Sequence, residues 1–301
     1  MYIVTGASGW MGRTTLSYLR DELNVDLKNE VCCYSSQERM IELTDGDEIH
    51  SKDLREIVNF SGDVEGLFHF AFLTKDFVEK IGQAEYVNTN TSILNTLSDV
   101  LARTKYRWSV SVSSGAVFDK PGGSLTKDVG SNPYGFLKLK EEKLLLDAAQ
   151  LSGATSVIGR LWGCTGSLMP VDRKYAISDF IYQGLTSDNI EVQANHEVWR
   201  RYMDGQDFIR ILHRIAILGK STTLDSAGDL IEVGELAEKI ANKLGIEVSR
   251  KEKDITIQPD NYFPNDQVMR KYCEEFGIRL LGIDQQVEET LKGHRRQLKI
   301  T

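Results

Sequence analysis

The chain has 301 residues, more than one compact core usually uses, which predicts one large domain or two closely joined domains. Hydrophobic residues make up 41% and charged residues 27%, as in ordinary globular proteins, and the formal net charge of −8 disfavours nonspecific binding to nucleic acid or to an anionic membrane. No apolar run reaches the roughly 18–20 residues that span a bilayer, and the first residues predict a strand rather than a secretory signal. Because the cysteines and histidines show neither C-x-x-C nor H-x-x-x-H spacing, we expect a cytoplasmic protein without a metal site or a disulfide framework.

Apolar stretches of strand length alternate with helical patterns in the first half of the chain. Strands are predicted at 2–4, 31–34, 67–72, 108–112 and 156–162, and helices at 11–23, 84–103 and 134–149. This alternation predicts an α/β fold with a doubly wound parallel sheet. Beyond about residue 165 the pattern predicts a smaller domain with helices at 207–218, 233–244 and 285–296 and a short strand at 254–258.

A glycine-rich turn follows the first predicted strand. Gly6, Gly9 and Gly12 stand three residues apart, and glycine lets backbone N–H groups approach a pyrophosphate at the start of a helix. A tight strand-to-helix turn can also use three glycines without any ligand, but the position of this turn in an α/β pattern favours a dinucleotide. The residues expected to contact that dinucleotide here are Gly6, Ser8, Gly9, Trp10, Met11 and Gly12.

The end of the second predicted strand indicates which dinucleotide fits. NAD-binding proteins carry a carboxylate there for the ribose 2′-hydroxyl, and this chain has none. Ser35, Ser36 and Arg39 could bind a 2′-phosphate instead, which favours NADP over NAD. The alternative is a solvated polar loop in which Arg39 pairs with a neighbouring glutamate. Asp53 and Leu54, after an extended stretch, could contact the adenine.

Three polar residues further along form a candidate catalytic set. Ser114 directly follows the strand predicted at 108–112, and Tyr134 and Lys138 stand four residues apart on a helix that Pro133 is suited to begin. An adjacent ammonium stabilises a phenolate, and lowering a phenol pKa from about 10 by about three units requires roughly 4 kcal/mol. We therefore predict that Ser114 holds a substrate oxygen while Tyr134 exchanges a proton with it. Each residue alone could be a packing or turn residue, but their order favours an active site.

With these motifs the chain resembles the extended short-chain dehydrogenase/reductase family, within the NAD-dependent epimerase/dehydratase group that acts on nucleotide sugars. The resemblance rests on residues 5–12, 68–71, 87–92 and 113–118, on Tyr134-x-x-x-Lys138 and on Arg200-Arg201-Tyr202. It implies a Rossmann domain at 1–165 and a smaller C-terminal α/β substrate-binding domain at 166–301, with about 205–228 returning to the first domain.

The resemblance also implies roles for individual residues. Ser114, Tyr134 and Lys138 are expected to be catalytic, and Asn88 is expected to support the active-site helix. The expected substrate contacts are Gly115 and Arg200, with Arg201 and Arg173 as secondary candidates for the substrate phosphates, and the expected lining of the cofactor cleft is Phe70, Ala71, Phe72 and Leu73.

Departures from the family pattern narrow the reaction. Gly115 and Ala116 stand where 4,6-dehydratases carry an Asp-Glu pair, which disfavours elimination, and Gly163 replaces an asparagine that touches the diphosphate in many epimerases. Residues 117–119 resemble the 4-keto-sugar reductases, which mostly use NADPH. The prediction is therefore a nucleotide-sugar reductase or 4-epimerase, with a non-catalytic dinucleotide sensor or scaffold as the alternative. The helices at 84–103 and 134–149 could pair two copies as a homodimer, although the same apolar stripes would equally pack against the sheet.

Overall fold

The computed structural model describes residues 1–43, 46–171 and 175–300, so that Arg173 lies outside the described residues. The chain divides into two compact units. Unit 1 comprises residues 1–119, 123–161 and 209–224, and unit 2 comprises residues 120–122, 162–208 and 225–301. Within the described part of the chain, no helix combines the length and apolar character needed to cross a membrane.

The strands are numbered in chain order. They are β1 (Tyr2–Thr5), β2 (Val31–Ser35), β3 (Arg39–Glu42), β4 (Glu48–Asp53), β5 (Val64–His69), β6 (Tyr106–Ser114), β7 (Thr155–Leu161), β8 (Cys164–Thr165), β9 (Asn189–Val192), β10 (Val198–Asp204), β11 (Thr222–Asp225), β12 (Asp229–Glu232), β13 (Glu247–Arg250) and β14 (Asp260–Tyr262).

The helices are numbered in the same way. They are α1 (Trp10–Asp21), α2 (Leu27–Glu30), α3 (Phe77–Ile81), α4 (Gln83–Arg103), α5 (Pro133–Ser152), α6 (Ala176–Thr186), α7 (Gly205–Ile217), α8 (Val233–Leu244), α9 (Gln267–Phe276) and α10 (Ile283–Leu298), with 3₁₀ turns at Leu54–Asn59 and Gly115–Val117.

Unit 1 is built on a mostly parallel sheet with the strand order β11-β7-β6-β5-β1-β2-β4-β3. Strand β1 has parallel neighbours on both sides, and β3 joins the edge antiparallel to β4. This order confirms the predicted doubly wound sheet of the Rossmann type. Its register places Thr5 beside His69 and His69 beside Ser111, so that the carboxyl ends of β1, β5 and β6 lie together. Ligands of open α/β sheets bind at that edge.

The helical periodicity of α4 explains how it covers the sheet. Leu94, Leu97 and Leu101 are buried, and Leu97 and Leu101 pack in a core cluster with Leu67 of β5 and Ile158 of β7. Side chains three and four residues apart share one face of a helix, so the apolar spacing selects the face that packs on the sheet.

Unit 2 confirms the expected smaller C-terminal α/β domain. Strand β10 lies between β12 and β14 and also pairs with β8, while β9 and β13 form a separate parallel pair. Gly163 lies against β10, because an added Cβ there would stand 2.3 Å from the Arg201 carbonyl oxygen. A larger side chain therefore does not fit at position 163 on this backbone.

Two sequence predictions about strands are corrected. The strand predicted at 254–258 is wrong, because the Asp254 carboxylate accepts hydrogen bonds from the Thr256 N–H and hydroxyl groups and closes a turn there. The strand predicted at 67–72 covers 64–69 instead. Phe70 leaves β5 while its N–H group donates to the Thr5 carbonyl, and the segment after it turns over the end of the sheet.

Candidate functional site

The glycine turn has the backbone geometry that a bound pyrophosphate requires. Gly6 has a φ of +66°, and an added Cβ would lie 2.6 Å from the Phe70 carbonyl carbon. A Cβ on Gly12 would lie 2.3 Å from the Gly6 carbonyl oxygen. Gly9 is the N-cap of α1 and provides no side-chain oxygen, so the first-turn N–H groups of Trp10 and Met11 receive no side-chain cap from it. This cradle of glycines and helix N–H groups fits a dinucleotide pyrophosphate.

The end of β2 carries hydroxyl groups where a carboxylate is absent. The Ser8 N–H donates to the Ser35 hydroxyl at 3.2 Å, and the hydroxyl groups of Ser35 and Ser51 lie 2.8 Å apart. Ser36 is exposed on the following loop. Arg39 begins β3 opposite Ser51, and its buried Nε has no hydrogen-bond partner within the described residues. Among the described residues neither Glu38 nor Glu42 pairs with Arg39 Nε, and Glu38 bonds to His50 instead.

Asp53 and Leu54 lie at the carboxyl end of β4, with Asp53 in register with Ser35. The Asp53 carboxylate caps the following 3₁₀ turn by accepting from the Arg55 N–H, and it pairs with the Arg55 guanidinium at 2.7 Å. These contacts with Arg55 lower the pKa of Asp53 to about 2. A carboxylate at this position therefore stays ionised at neutral pH, and Leu54 beside it is half-buried.

The segment that follows β5 is fixed by an asparagine of α4 that the sequence analysis did not single out. Asn88 is exposed on α4. The fully buried Asn90 instead accepts from the Leu73 N–H at 2.8 Å and donates to the Leu73 carbonyl, to which Tyr86 also donates. Asn90 precedes Leu94 by one helical turn, and this spacing was the available signal that position 90 faces inward. The exposed position of Asn88 does not fit the support of the active-site helix that was expected of it, and the supporting role seen is that of Asn90 for the segment after β5.

Phe70, Ala71 and Phe72 belong to the segment that Asn90 holds. The backbone of Phe70 and Ala71 approaches Gly6 so closely that only glycine fits opposite them, and Ala71 is buried. The Phe72 ring lies edge-on to the Tyr134 ring, with 5.9 Å between centroids. The structure thus brings the segment to the glycine turn on one side and to the candidate acid–base tyrosine on the other.

Two local contacts bring Ser114 and Tyr134 together. The Asn132 side chain caps α5 through the Gly135 N–H at 2.9 Å and donates to the Ala116 carbonyl at 2.7 Å. Gly135 then packs so tightly that an added Cβ would lie 2.1 Å from the same carbonyl oxygen. The start of α5 is therefore docked on the Gly115–Val117 turn that directly follows Ser114.

Tyr134 is partly buried, and its surroundings favour the protonated phenol. Burial raises the pKa of Tyr134 to about 12, hydrogen bonding to Ser114 lowers it, and the nearby Glu141 carboxylate raises it. The lower pKa expected from Lys138 together with an oxidised nicotinamide stays a prediction. A phenol of this kind can donate a proton to a substrate oxygen, while the Ser114 hydroxyl can hold that oxygen.

Lys138 lies one helical turn beyond Tyr134 with its ammonium turned toward β6. The Nζ atom donates to the Val112 carbonyl at 3.0 Å and to Glu141 Oε2 at 2.8 Å, and it lies 4.0 Å from the centre of the Phe72 ring. The sequence analysis missed Glu141. The signal for it was its spacing, because a carboxylate three residues after Lys138 shares the face of the helix that carries the lysine.

The next residue of α5 makes a separate buried pair. Glu142 accepts from the Ser113 hydroxyl at 2.5 Å and from the Arg160 guanidinium at 2.9 and 2.7 Å. Arg160 also stacks on the Phe118 ring at 5.0 Å. Bidentate pairing of this type fixes both orientation and register. Glu142 therefore anchors α5 to β6 and β7 and has its own charge partner.

Unit 2 holds the arginine expected to bind substrate phosphate. Arg200 on β10 pairs with the Asp260 carboxylate at 2.7 Å and lies 5.7 Å from the Tyr262 ring centre. Arg201 is more enclosed, bonding to Asp266 at 2.7 Å and to a backbone carbonyl. Burial lowers the pKa of Arg201. Of the two arginines, Arg200 is thus the more accessible.

Comparisons with known proteins place the chain among enzymes. The sequence profile described as the NAD dependent epimerase/dehydratase family matches residues 2–223. A search of curated proteins finds no match to the chain.

Solved structures of low sequence identity share the fold over nearly the whole chain. MoeE5 in complex with UDP-glucose and NAD is 21% identical and is matched over 99% of each chain at a TM-score of 0.76. A UDP-glucose 4-epimerase is 18% identical, with 100% of this chain and 99% of its own covered at a TM-score of 0.80. The UDP-N-acetylglucosamine 4-epimerase from Methanobrevibacter ruminantium M1 in complex with UDP-N-acetylmuramic acid is 19% identical, covered over 98% of both chains at a TM-score of 0.77.

Proposed function

Because the chain belongs to the NAD-dependent epimerase/dehydratase family, we propose that it is an NAD(P)-dependent reductase or epimerase that moves a hydride at carbon 4 of a nucleotide-linked sugar. The observation that carries this proposal is the docking of α5 on the turn after Ser114. That docking, through Asn132 and Gly135, brings a phenol and a hydroxyl to the carboxyl edge of the sheet beside the glycine turn. Sugar nucleotides are named with the similar structures MoeE5 and the Methanobrevibacter epimerase.

The residues of unit 1 then have distinct tasks. The bound nicotinamide supplies or accepts the hydride. Ser114 donates a hydrogen bond to the sugar carbonyl oxygen, and Tyr134 gives that oxygen its proton as the C–H bond forms, which leaves an alcohol and a phenolate. In an epimerase Tyr134 first removes the alcohol proton and later returns it, whereas in a reductase it is reprotonated from solvent. Gly115 and Ala116 provide no acid–base group for elimination.

Nicotinamide absorbance tests this proposal directly. Purified protein is mixed with reduced cofactor and with UDP- or dTDP-linked 4-keto sugars, and the loss of absorbance is followed. Tyr134→Phe should lower kcat at least a hundredfold, because the proton donor is removed. Tyr106→Phe is the matched control, since it removes a buried phenol at the opposite end of β6. Equal rates for Tyr134→Phe and the parent would refute the proposal, and turnover without net cofactor consumption would indicate epimerisation.

We propose NADP as the preferred cofactor. The support is the hydroxyl pair of Ser35 on β2 and Ser51 on β4, the exposed Ser36, and the buried Nε of Arg39, which has no hydrogen-bond partner among the described residues. A guanidinium binds phosphate oxygens well, and β2 itself ends without the carboxylate that selects the ribose 2′-hydroxyl, while the nearby Asp53 carboxylate is paired with Arg55.

Binding measurements with the two cofactors test this choice. Arg39→Ala should weaken NADP binding about tenfold or more and leave NAD binding nearly unchanged, because only NADP carries the 2′-phosphate. Lys52→Ala is the control, since it removes an exposed charge from the neighbouring strand β4. A parent protein that binds NAD more tightly than NADP would overturn the proposal.

We propose that Arg200 binds the diphosphate of the substrate. It is the more accessible of the two adjacent arginines, and its guanidinium can exchange the Asp260 carboxylate for a phosphate. Calorimetry with nucleoside diphosphates should show at least tenfold weaker binding for Arg200→Ala than for the parent. Lys251→Ala, which removes an exposed charge from the same unit, should have little effect. Equal losses in both variants would mean that only net charge matters.

The homodimer and the cytoplasmic location belong to the same proposal. Ile93 of α4 is half-buried, and Leu144 of α5 packs partly against the core of its own unit, so a dimer through these helices would use the parts of these side chains that the core leaves exposed. Light scattering at several protein concentrations tests the dimer.

The cysteines are free thiols, as is usual in a reducing compartment.

A further inference from the structure

A buried ion pair lies directly behind the proposed proton donor. Lys138 Nζ and Glu141 Oε2 are 2.8 Å apart, and their side chains are 5% and 2% exposed. The second carboxylate oxygen of Glu141 accepts from the Ser111 hydroxyl at 2.5 Å, and the same ammonium donates to the Val112 carbonyl. Both charges are therefore satisfied by each other and by β6, and neither is left to solvent.

The groups that face this pair come from three elements. On α5 itself, Tyr134 lies one turn before Lys138. On β5, His69 is buried near both charges, and burial lowers its pKa to about 4, so that it is neutral at physiological pH. On α4, Tyr86 lies near Tyr134 and Glu141, and burial raises its pKa. Apart from the pair itself, the groups named here are neutral at pH 7.

Glu142 shows that the pairing of Glu141 is not a general property of acidic residues on α5. Glu142 is also buried, but its partners are Ser113 and the Arg160 guanidinium. The two glutamates thus form separate pairs, and only Glu141 shares its charge with the lysine of the Tyr-x-x-x-Lys motif. This makes Glu142 a matched control for Glu141.

We propose that Glu141 is a positioning residue that holds the Lys138 ammonium against β6 and cancels its charge, so that Tyr134 stays protonated and the site is set to donate a proton to a carbonyl oxygen. This inference rests on the proposed function, because it assumes that Tyr134 is the proton donor. It favours the reductive direction, in which the phenol proton moves to the oxygen as the hydride arrives at carbon. Oxidation of an alcohol would require a pH high enough to deprotonate Tyr134.

The size of the effect follows from the charge that Glu141 compensates. Side chains four residues apart on a helix are neighbours, so an uncompensated ammonium at about 7 Å from the phenolate, at an effective dielectric constant of about 20, lowers the phenol pKa by about one to two units. Glu141→Gln removes the negative charge and retains hydrogen-bonding groups for Ser111 and Lys138. The titration midpoint of Tyr134 should therefore fall by this amount.

A fluorine label measures that midpoint without any turnover. 3-Fluorotyrosine is placed at position 134 of the full chain, and its ¹⁹F shift is followed against pH in the labelled parent, in Glu141→Gln and in Glu142→Gln. We expect the midpoint to fall by about one to two units in Glu141→Gln and to move by less than about half a unit in Glu142→Gln. Equal movement in the two variants, or no movement in Glu141→Gln, would overturn the inference.

Two further variants keep the test decisive if Glu141→Gln does not fold. Lys138→Met leaves the carboxylate uncompensated and should raise the midpoint. The double variant Lys138→Met with Glu141→Gln restores a neutral pair and should return the midpoint close to that of the parent. A lower midpoint in Lys138→Met, or a double variant that does not return toward the parent, contradicts charge compensation.

The pH profile of turnover separates this inference from the proposed function. In the unlabelled enzyme, the pH at which alcohol oxidation reaches half its maximal kcat should move down in Glu141→Gln by the same amount as the fluorine midpoint. If the parent turns over no sugar nucleotide but the midpoints move as expected, the proposed function fails and the charge compensation stands. If turnover occurs while the midpoint is unmoved, the inference alone fails.

Discussion

Acid should destabilise unit 1 through two buried histidines, one on a strand of its sheet and one on a helix. His69 is wholly buried, with its Nδ1 atom 2.7 Å from the Thr5 hydroxyl. His213 of α7 is also buried, with its Nδ1 atom 2.9 Å from the Tyr18 hydroxyl and its ring 4.8 Å from that of Trp108. Burial lowers the pKa of each histidine to about 4. Each ring is therefore neutral in the folded protein at pH values where an exposed histidine takes up a proton.

The sign and size of the effect follow from proton linkage. Because the folded pKa lies below the ordinary value of about 6.5, the unfolded chain binds more protons between these two values, and the free energy of unfolding falls as the pH falls from about 6.5 toward about 4. From about pH 7.5 to about pH 5, each histidine then costs about 2 kcal/mol of stability. Carboxyl groups with a lowered pKa, such as that of Asp53, contribute their loss at lower pH, below about 4.

Urea unfolding at several pH values between about 7.5 and 5 measures the slope of stability against pH. His69→Asn should reduce the total loss over that range by about 2 kcal/mol relative to the parent, whatever its stability at neutral pH. His50→Gln, which removes an exposed imidazole, is the control and should leave the loss unchanged. A His69→Asn variant with the same pH slope as the parent would refute the reasoning, because burial of that ring would then not be linked to protons.

Three further substitutions test particular contacts. Gly12→Ala adds a Cβ that would lie 2.3 Å from the Gly6 carbonyl oxygen, and it should destabilise the protein by about 1–3 kcal/mol. It should also weaken cofactor binding at least tenfold, and unchanged binding by calorimetry would contradict the role of the glycine turn in holding the pyrophosphate. Asn90→Ala loses two hydrogen bonds to the backbone and should lower the free energy of unfolding in urea by about 1–3 kcal/mol. Asn88→Ala should lower it by less than about 0.5 kcal/mol, and the reverse order would mean that Asn88 is the residue with the structural role. Asp260→Asn releases Arg200 from an exposed ion pair worth about 0.2–1 kcal/mol and should tighten the binding of a nucleoside diphosphate up to about fivefold; weaker binding would show that Asp260 orients Arg200.

The parts of the fold that depend on local pattern could be predicted from the sequence. Helix α8 was predicted at 233–244, where it is found, because its apolar periodicity ends at Gly245, which adopts a φ of +70° as the C-cap. The terminal helix was predicted two residues late at its start and two residues early at its end. Such ends depend on capping contacts with residues outside the periodic pattern.

The short elements could not be predicted in the same way. Strand β3 alternates Arg39, Met40, Ile41 and Glu42, and it is a strand because it pairs with β4 at the edge of the sheet. Nothing in the four residues alone specifies that partner. Helix α6 begins without a side-chain cap, so its start has no comparable signal. Helix α9 does carry signals that were overlooked, because Pro264-Asn265-Asp266 precedes it and Gly277 ends it as the C-cap.

In the candidate site, too, some residues could be found from their spacing in the sequence, whereas other contacts appear only in the folded chain. Gly6, Gly12, Tyr134 and Lys138 stand out because their spacing has a chemical reason that can be stated from the sequence. Asn90 could have been found from the helical periodicity of α4, whereas Asn88 was chosen from the family resemblance. The spacing of Lys138 and Glu141 on α5 permits their pairing, but the burial of this pair against β6 follows from the folded chain.

The two buried glutamates explain why α5 presents Tyr134 at one fixed position along β6. Ser111 and Ser113 face the helix from alternate positions of the strand, about 6.6 Å apart, and each bonds to its own glutamate. Apolar packing tolerates a small shift of a helix along a strand. Two carboxylates that each accept a hydrogen bond from a serine hydroxyl do not tolerate such a shift. A slide of one strand position would leave a carboxylate buried without its donor, which costs several kcal/mol. The register that places Tyr134 beside the end of β6 is therefore set by the adjacent residues Glu141 and Glu142, which both lie about two turns beyond the tyrosine.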